Sequence, residues 1–364
     1  MRDAVLEAKN LSIGYLSGKG RRKLVAEGIC LGLNPGETTC LIGPNGVGKS
    51  TLLRTLAGLQ PPLDGNITIE NRDISAFQPR ELAQSVGIVL TEQVNVGMLS
   101  VFSLVELGRH PYTAWSGKLQ PQDIEAVHWA LEAVGALELA ARNVSELSDG
   151  ERQKVMIARA LAQEPHVIIL DEPTAFLDLP RRVEIMILLQ NLARETGRAI
   201  LLSTHDLDLA LRCADVIWLF PPEGKLESGA PEDLVLSGAL ERTFRNRGIV
   251  FDRTHGSFLI QREKRGLIEL EGAGFELVWS RRALEREGYE VTRGKRMDRP
   301  KVRVVTRGGI PSWQLTLEGE SLTFSSIYEL VKALRKSTTG HKPSRRKGDK
   351  GRSGDLDTGS QSRG

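Results

Sequence analysis

The chain has 364 residues, 40% hydrophobic and 26% charged, which suits an ordinary soluble protein with room for two or three structural units. No apolar run approaches the roughly 20 residues that a membrane span needs, and Met1-Arg2-Asp3 leads straight into mixed polar sequence without a signal-peptide pattern. The net charge of +3 is uneven: residues 336–364 hold eight Lys/Arg and three Asp, so that tail contributes +5 and the rest of the chain −2.

Residues 1–30 read as short strands around the Gly-rich turn Ser17–Lys23. Tyr15 ends the first of them and is open to two readings, an aromatic for stacking on a base or simple strand packing. The apolar run Thr39–Ile42 then predicts a buried strand, and Thr51–Ala57 a helix. Between them, Gly43-Pro44-Asn45-Gly46-Val47-Gly48-Lys49-Ser50-Thr51 fits G-x-x-x-x-G-K-[ST], a phosphate-binding pattern whose strand–loop–helix context is present. Its glycines let backbone N–H groups turn toward phosphate oxygens at the positive end of a helix. Lys49 is placed to reach the β- and γ-phosphates, and the Ser50 hydroxyl to ligate Mg²⁺.

Further on, Ile67–Glu70 alternates as a strand, residues 80–86 look helical, and Val86–Leu90 reads as another buried strand. From about 99 to 163 the period changes to 3.6, with Ile124, Val127, Leu131 and Val134 in one segment and Val155, Ile157, Ala158 and Leu161 in another. A helical insert between two strands of an α/β core is the simplest arrangement. The branched strand His166–Leu170 ends in Asp171-Glu172, where a parallel sheet places its chemistry. Asp171 is the candidate Mg²⁺ ligand, directly or through water, and Glu172 the candidate general base that polarises the attacking water. A helix over Arg181–Arg194 precedes the buried strand Ala199–Ser203, capped by Thr204-His205-Asp206. His205 alone among the histidines lies where the sheet predicts a nucleotide and can report on the γ-phosphate. Val216–Phe220 adds one more strand. Cys30, Cys40 and Cys213 form no metal or redox pair and are expected to be reduced core residues of a cytosolic protein.

Leu147-Ser148-Asp149-Gly150-Glu151 resembles the signature LSGGQ of the nucleotide-binding subunits of ABC transporters, and the resemblance covers roughly residues 4–260. Asp149 and Glu151 depart from the consensus. The resemblance implies an α/β fold: a P-loop ATPase core with an antiparallel β subdomain and a helical insert over about 95–163, together spanning 1–261. It also implies ATP and Mg²⁺ as ligands and a head-to-tail homodimer. In that dimer Ser148 and Gly150 bind the γ-phosphate held by the other subunit. Tyr15 takes the adenine-stacking position, Asp178 ends a loop that contacts the opposite site, and His205 is similar to the switch histidine. Where the family carries a Gln after the strand ending at Leu90, this chain reads Thr91-Glu92-Gln93, so either Glu92 or Gln93 serves there, as a ligand for Mg²⁺ or water.

A finer resemblance rests on Leu99–Tyr112, similar to V-x-x-L-V-x-x-G-R-x-P-Y, a segment typical of subunits serving importers of iron–siderophore, haem and cobalamin. It implies a polytopic permease as partner, an extracytoplasmic binding protein acting indirectly, and a peripheral place on the cytoplasmic face of the membrane. The rival reading is a non-transport ATPase on nucleic acid or ribosomes, supported only by basic segments; no nucleic acid is expected.

Beyond residue 261 the pattern predicts a small accessory α+β domain over 262–336 in the order βαβββα, with no catalytic constellation. Regulation of the ATPase by that domain is the expectation. The basic loop Arg293–Arg299 reads as a solvated loop, and residues 337–364, rich in Gly, Ser, Lys and Arg, as a disordered tail.

Overall fold

The computed structural model describes residues 4–16, 22–91, 98–113, 117–223, 225–245, 249–252, 256–260, 264–292, 299–317 and 319–339. Two compact units emerge, Met1–Leu259 and Ile260–Gly364. Among the described residues no helix is long and apolar enough to cross a membrane.

In the first unit, β1 (Leu6–Leu16) and β2 (Arg22–Leu33) pair antiparallel. β3 (Thr38–Ile42) is buried at every position and runs through the phosphate-loop residues into α1 (Lys49–Leu56). β4 (Asp64–Ile69) and β5 (Arg72–Asp73) complete a four-stranded antiparallel sheet in the order β2-β1-β4-β5. α2 (Pro79–Ser85) leads into β6 (Val86–Val89). The insert contributes α3 (Val101–Glu106), a 3₁₀ turn at Leu107–Arg109, α4 (Pro121–Ala133) and α5 (Asp149–Leu161). The chain then returns through β7 (Val167–Leu170), α6 (Leu179–Thr196), β8 (Ala199–Ser203), α7 (Leu207–Cys213), β9 (Val216–Leu219) and β10 (Glu227–Gly229). α8 (Pro231–Leu236), α9 (Ala239–Thr243), β11 (Ile249–Asp252) and β12 (Ser257–Ile260) follow.

The central sheet runs β10-β9-β3-β8-β7-β6, parallel except for β10 at one edge. Strand side chains alternate between faces, and the two faces feed two cores. Cys40, Ile42, Ile168, Leu170, Ile200 and Leu202 pack with residues of the insert and of α6 and α7. Leu41, Ile169, Leu201 and Trp218 pack with α1 and the antiparallel sheet. This is why the strands read as unbroken apolar runs: both faces are covered. The 3.6-period stripe of the insert is buried at Val127, Leu131 and Val134, while Ile124 is exposed at the start of α4.

One expectation fails at Cys30. The alternation along β2 turns Ile29 and Leu31 inward and Cys30 outward, so this thiol is exposed, whereas Cys40 and Cys213 are buried.

The second unit holds β13 (Gly266–Glu271), α10 (Gly274–Arg286), β14 (Tyr289–Thr292), β15 (Lys301–Arg307), β16 (Ile310–Leu317), β17 (Glu320–Phe324) and α11 (Ile327–Thr339). Its sheet runs β14-β13-β15-β16-β17, with β13 parallel to both neighbours and the later pairs antiparallel. The expected order lacked β14. Tyr-Glu-Val-Thr buries only Tyr289 fully, so this edge strand carries too little apolar signal to register. The core joins Ile268, Val302, Trp313 and Leu315 to Leu284 of α10 and Leu330 and Leu334 of α11. Trp313 Nε1 donates to the buried Ser280 hydroxyl at 2.7 Å. Glu287 follows α10 almost fully buried, and Arg335 of α11 donates to both of its oxygens, at 2.8 and 2.5 Å. Those bonds hold the Glu287 carboxyl below the usual carboxylate range. Residues 337–339, expected in the tail, instead close α11, while residues 293–298 of the basic loop and the tail from 340 lie outside the described residues.

Candidate nucleotide site

The phosphate loop is shaped by close approach as well as by turns. A Cβ on Gly43 would stand 2.3 Å from the Phe220 carbonyl oxygen, and one on Gly48, whose φ is +113°, would stand 2.3 Å from a Val25 methyl. Gly46, at φ +81°, faces open space instead. The loop therefore presses Gly43 and Gly48 against Phe220, just after β9, and against β2, while leaving one side bare toward a cleft of about 810 Å³. Tyr15, Asn45 to Thr51, Glu172 and His205 all line that cleft. Gly43 and Pro44 complete the loop behind it: buried Lys49 donates from Nζ to their carbonyl oxygens at 2.8 and 3.2 Å. Burial holds the Lys49 ammonium below the usual lysine value, opposed by the charges of Glu172 and Asp171. Tyr15 stands at the rim, 45% exposed, with its hydroxyl 2.5 Å from Thr51 Oγ1.

The two carboxylates sit at the C-terminal end of β7 as the sequence predicts, and a residue it did not single out aligns them. Ser203, fully buried at the end of β8, donates from its hydroxyl to Asp171 Oδ1 at 2.6 Å and accepts from the Glu172 backbone N–H at 2.9 Å. The available signal was its place at a strand end beside His205. Glu172 takes a left-handed φ of 51°, a strained choice for this residue type, and its Oε1 lies 2.5 Å from His205 Nε2. Thus Lys49, Asp171, Glu172 and His205 converge from three connections, those that follow β3, β7 and β8.

The residues fit a nucleotide with Mg²⁺. At Gly43 and Gly48 the cradle leaves no room for side chains, and Ser50 and Asp171 supply oxygen donors of the hard kind that Mg²⁺ prefers. Among the described residues no group of three or more His, Cys, Asp or Glu could hold a metal by itself. Such an open set suits an ion bound jointly with phosphate oxygens and waters. Glu92 and Gln93 lie outside the described residues.

Ser148, Gly150, Glu151 and Asp178 do not line this cleft. Ser148 is the N-cap of α5 in a capping box: its backbone N–H and its hydroxyl both donate to Glu151 Oε2, at 2.8 and 2.7 Å. Those bonds, side chain first, hold the Glu151 carboxyl below the usual carboxylate range. Gly150 is buried, and a Cβ there would meet the Arg181 side chain at 3.3 Å. Asp149 borders a separate narrow cavity of about 60 Å³ that reaches Asp171 and Glu172. Asp178 caps α6 by accepting from the Arg181 N–H at 3.0 Å.

Comparison with known proteins adds the family. Residues 26–175 match the model of the ABC transporter domain, and residues 265–335 match the iron ABC transporter C-terminal domain. An uncharacterized ABC transporter ATP-binding protein of Methanocaldococcus jannaschii is 46% identical over 231 residues, 64% of this chain and 78% of that protein. The ferric enterobactin transport ATP-binding protein of Escherichia coli is 36% identical over 250 residues, 68% of this chain and 90% of that protein. A dimeric bacterial ABC transporter cassette of known structure is 27% identical, with a TM-score of 0.53, covering 62% of this chain and 98% of that one. The nucleotide cleft, the capped α5 and these likenesses lead to one conclusion: the chain belongs to the ATP-binding subunits of ABC transporters.

Proposed function

We propose that the protein is the ATP-hydrolysing subunit of an importer for an iron chelate, haem or cobalamin, working as a homodimer on a polytopic permease at the cytoplasmic face of the membrane. The observation that carries the ATPase reading is the convergence of Lys49, Glu172 and His205 on one cleft that the capped end of α5 does not line. A cleft complete for phosphate binding but lacking Ser148 and Gly150 is half a site, and a second copy supplies the other half. The dimeric cassette among the similar structures supports that arrangement. For the cargo, support comes from the iron-transporter C-terminal domain match and from the ferric enterobactin relative.

The chemistry then divides among the residues. Tyr15 packs against the base, and the loop N–H groups with the start of α1 hold the phosphates. Lys49 exchanges the carbonyls of Gly43 and Pro44 for phosphate oxygens. Glu172 accepts the proton of the attacking water, with Ser203 fixing its backbone and His205 its carboxylate. Ser50 and Asp171 would hold Mg²⁺, which supplies charge neutralisation at the phosphates. Ser148 and Gly150 of the second copy present a helix N-terminus to the γ-phosphate. Glu92 or Gln93, the extracytoplasmic binding protein and the accessory role of the second unit belong to the same proposal.

The test is affinity purification of the tagged full chain in detergent from its own cells, followed by identification of co-purifying proteins and a radio-iron uptake assay in a strain lacking the chain. A polytopic permease in the eluate and lost uptake of one ferric chelate are expected. Ribosomal or nucleic-acid partners without a permease would overturn the reading.

A further inference from the structure

The segment Leu99–Tyr112 has no part in the nucleotide cleft, yet the structure builds it into a joint. α5 ends at Leu161 and β7 begins at Val167. The N-terminal end of α5 carries Ser148 and Gly150, and the C-terminal end of β7 carries Asp171 and Glu172. Residues 162–166 are therefore the hinge between the two halves of the chemistry.

Every residue of that hinge is gripped. Arg109 donates from one guanidinium nitrogen to the Ala162 carbonyl at 2.7 Å and to Glu164 Oε2 at 2.7 Å. The Tyr112 hydroxyl donates to the Gln163 carbonyl at 2.8 Å. Arg198 Nε donates to the Pro165 carbonyl at 2.9 Å, and the His166 N–H donates to the Ser85 carbonyl at 3.0 Å. Glu164 itself holds a left-handed φ of 52°.

Arg109 is the hub. It is 3% exposed, its Nε donates to buried Asp123 Oδ1 of α4 at 3.0 Å, and its guanidinium stacks 3.9 Å from the centre of the Tyr112 ring. Gly108 permits the approach, since a Cβ there would stand 2.3 Å from the Arg159 carbonyl oxygen of α5. The Pro111 carbonyl accepts from Arg80 and Gln84 of α2, tying the same segment to the core. Packing alone does not ask for this. A buried ion pair is commonly matched or bettered in stability by apolar residues of the same volume, so a guanidinium that ties three acceptors in α4 and the hinge together points to geometry.

We infer that Arg109, with Tyr112, is a positioning residue for ATP hydrolysis: it fixes the angle between α5 and β7 and so determines where the α5 N-terminus meets a second copy's nucleotide. α5 spans about 20 Å at 1.5 Å per residue, so a swing of about 10° at the hinge moves its far end about 3 Å. Misplacement of that order is enough to cost large factors in rate. The inference rests on the proposed reading of the site as an ATPase completed in trans.

The experiment uses the purified full chain with Arg109→Lys, Tyr112→Phe, Glu164→Gln and, as control, Glu172→Gln. Steady-state hydrolysis, equilibrium binding of a fluorescent ATP analogue, melting temperature and amide exchange at 162–166 are measured on each. Arg109→Lys keeps the charge and loses the fork, so kcat is expected to fall about tenfold, and about threefold in the milder Tyr112→Phe and Glu164→Gln. Nucleotide binding stays within about twofold, because the phosphate loop is untouched, while exchange at 162–166 quickens. If Arg109→Lys does not fold, the other two variants carry the test. Wild-type kcat per folded molecule in the folded variants, with or without a lowered melting temperature, overturns the inference. Full hydrolysis by Glu172→Gln overturns the reading of the site instead.

Discussion

The polar groups of the nucleotide cleft and those of the α5–β7 hinge are partnered in opposite ways. In the cleft, the partners are ones that a ligand can replace. Lys49 bonds its own loop's carbonyls, Tyr15 bonds Thr51, and Glu172 bonds His205 across an interface where both side chains are partly exposed. At the hinge, Arg109 and Asp123 are almost wholly buried and bond each other out of reach of solvent, and only the Glu164 partner of Arg109 is half exposed. Temporary partnerships keep a reactive site soluble and poised, whereas permanent ones fix an angle. The lesson is that a buried charge acts here as a spacer, and a cleft charge as a tool.

The largest effect expected from breaking that contrast is at Lys49. Lys49→Met should cut hydrolysis about 10³-fold, which is about 4 kcal/mol, measured by phosphate release. Stability should move the other way. The Lys49 pKa is lowered in the folded state, so its charge opposes folding at neutral pH, and the penalty is relieved only as pH rises through the depressed value toward the unfolded one. A melting temperature at pH 7 equal to or above wild type is therefore expected, and a fall would show that the ammonium holds the loop together.

Arg109→Met should do the reverse, costing about 3 kcal/mol in denaturant melts because Asp123 is left buried without its partner. An unchanged midpoint would remove the distinction between the two regions. Next, His205→Ala frees Glu172 in the cleft and should slow hydrolysis about 10²-fold while ATP binding persists, which separates orientation from affinity in a single-turnover measurement. The smallest change is expected for Tyr15→Phe. The ring stays and only the Thr51 bond goes, so ATP affinity should shift by less than about 1 kcal/mol by calorimetry. A larger loss would assign the hydroxyl a role that stacking does not need.

Much of the site was legible because its chemistry is local. Gly43 to Thr51 must be contiguous to wrap a phosphate, and Asp171-Glu172 must follow an apolar strand to lie at a sheet end. The central strands and the helical insert were legible for a related reason, since burial on both faces and a change of period are written in a few residues. What stayed hidden depends on contacts distant in sequence. Ser203 reaches Asp171 across neighbouring strands, and nothing beside it in the chain announces that bond. Arg109 carried a family resemblance but no physical reason, because its partners lie 14, 53 and 55 residues away. Strand β14 escaped because an edge position needs so little apolar content, and Cys30 because one step along an alternating strand reverses the face.

That reversal has a practical consequence. Cys30 is exposed on β2, whereas burial surrounds Cys40 and pushes its thiol well above the usual cysteine range, and Cys213 is also buried and pushed up. A thiol reagent that needs an accessible thiolate will therefore modify Cys30 first. The unmutated chain thus carries a built-in attachment point for a spin label or fluorophore, one per copy. In a pair of cassettes, opening and closing would become a distance read by spectroscopy.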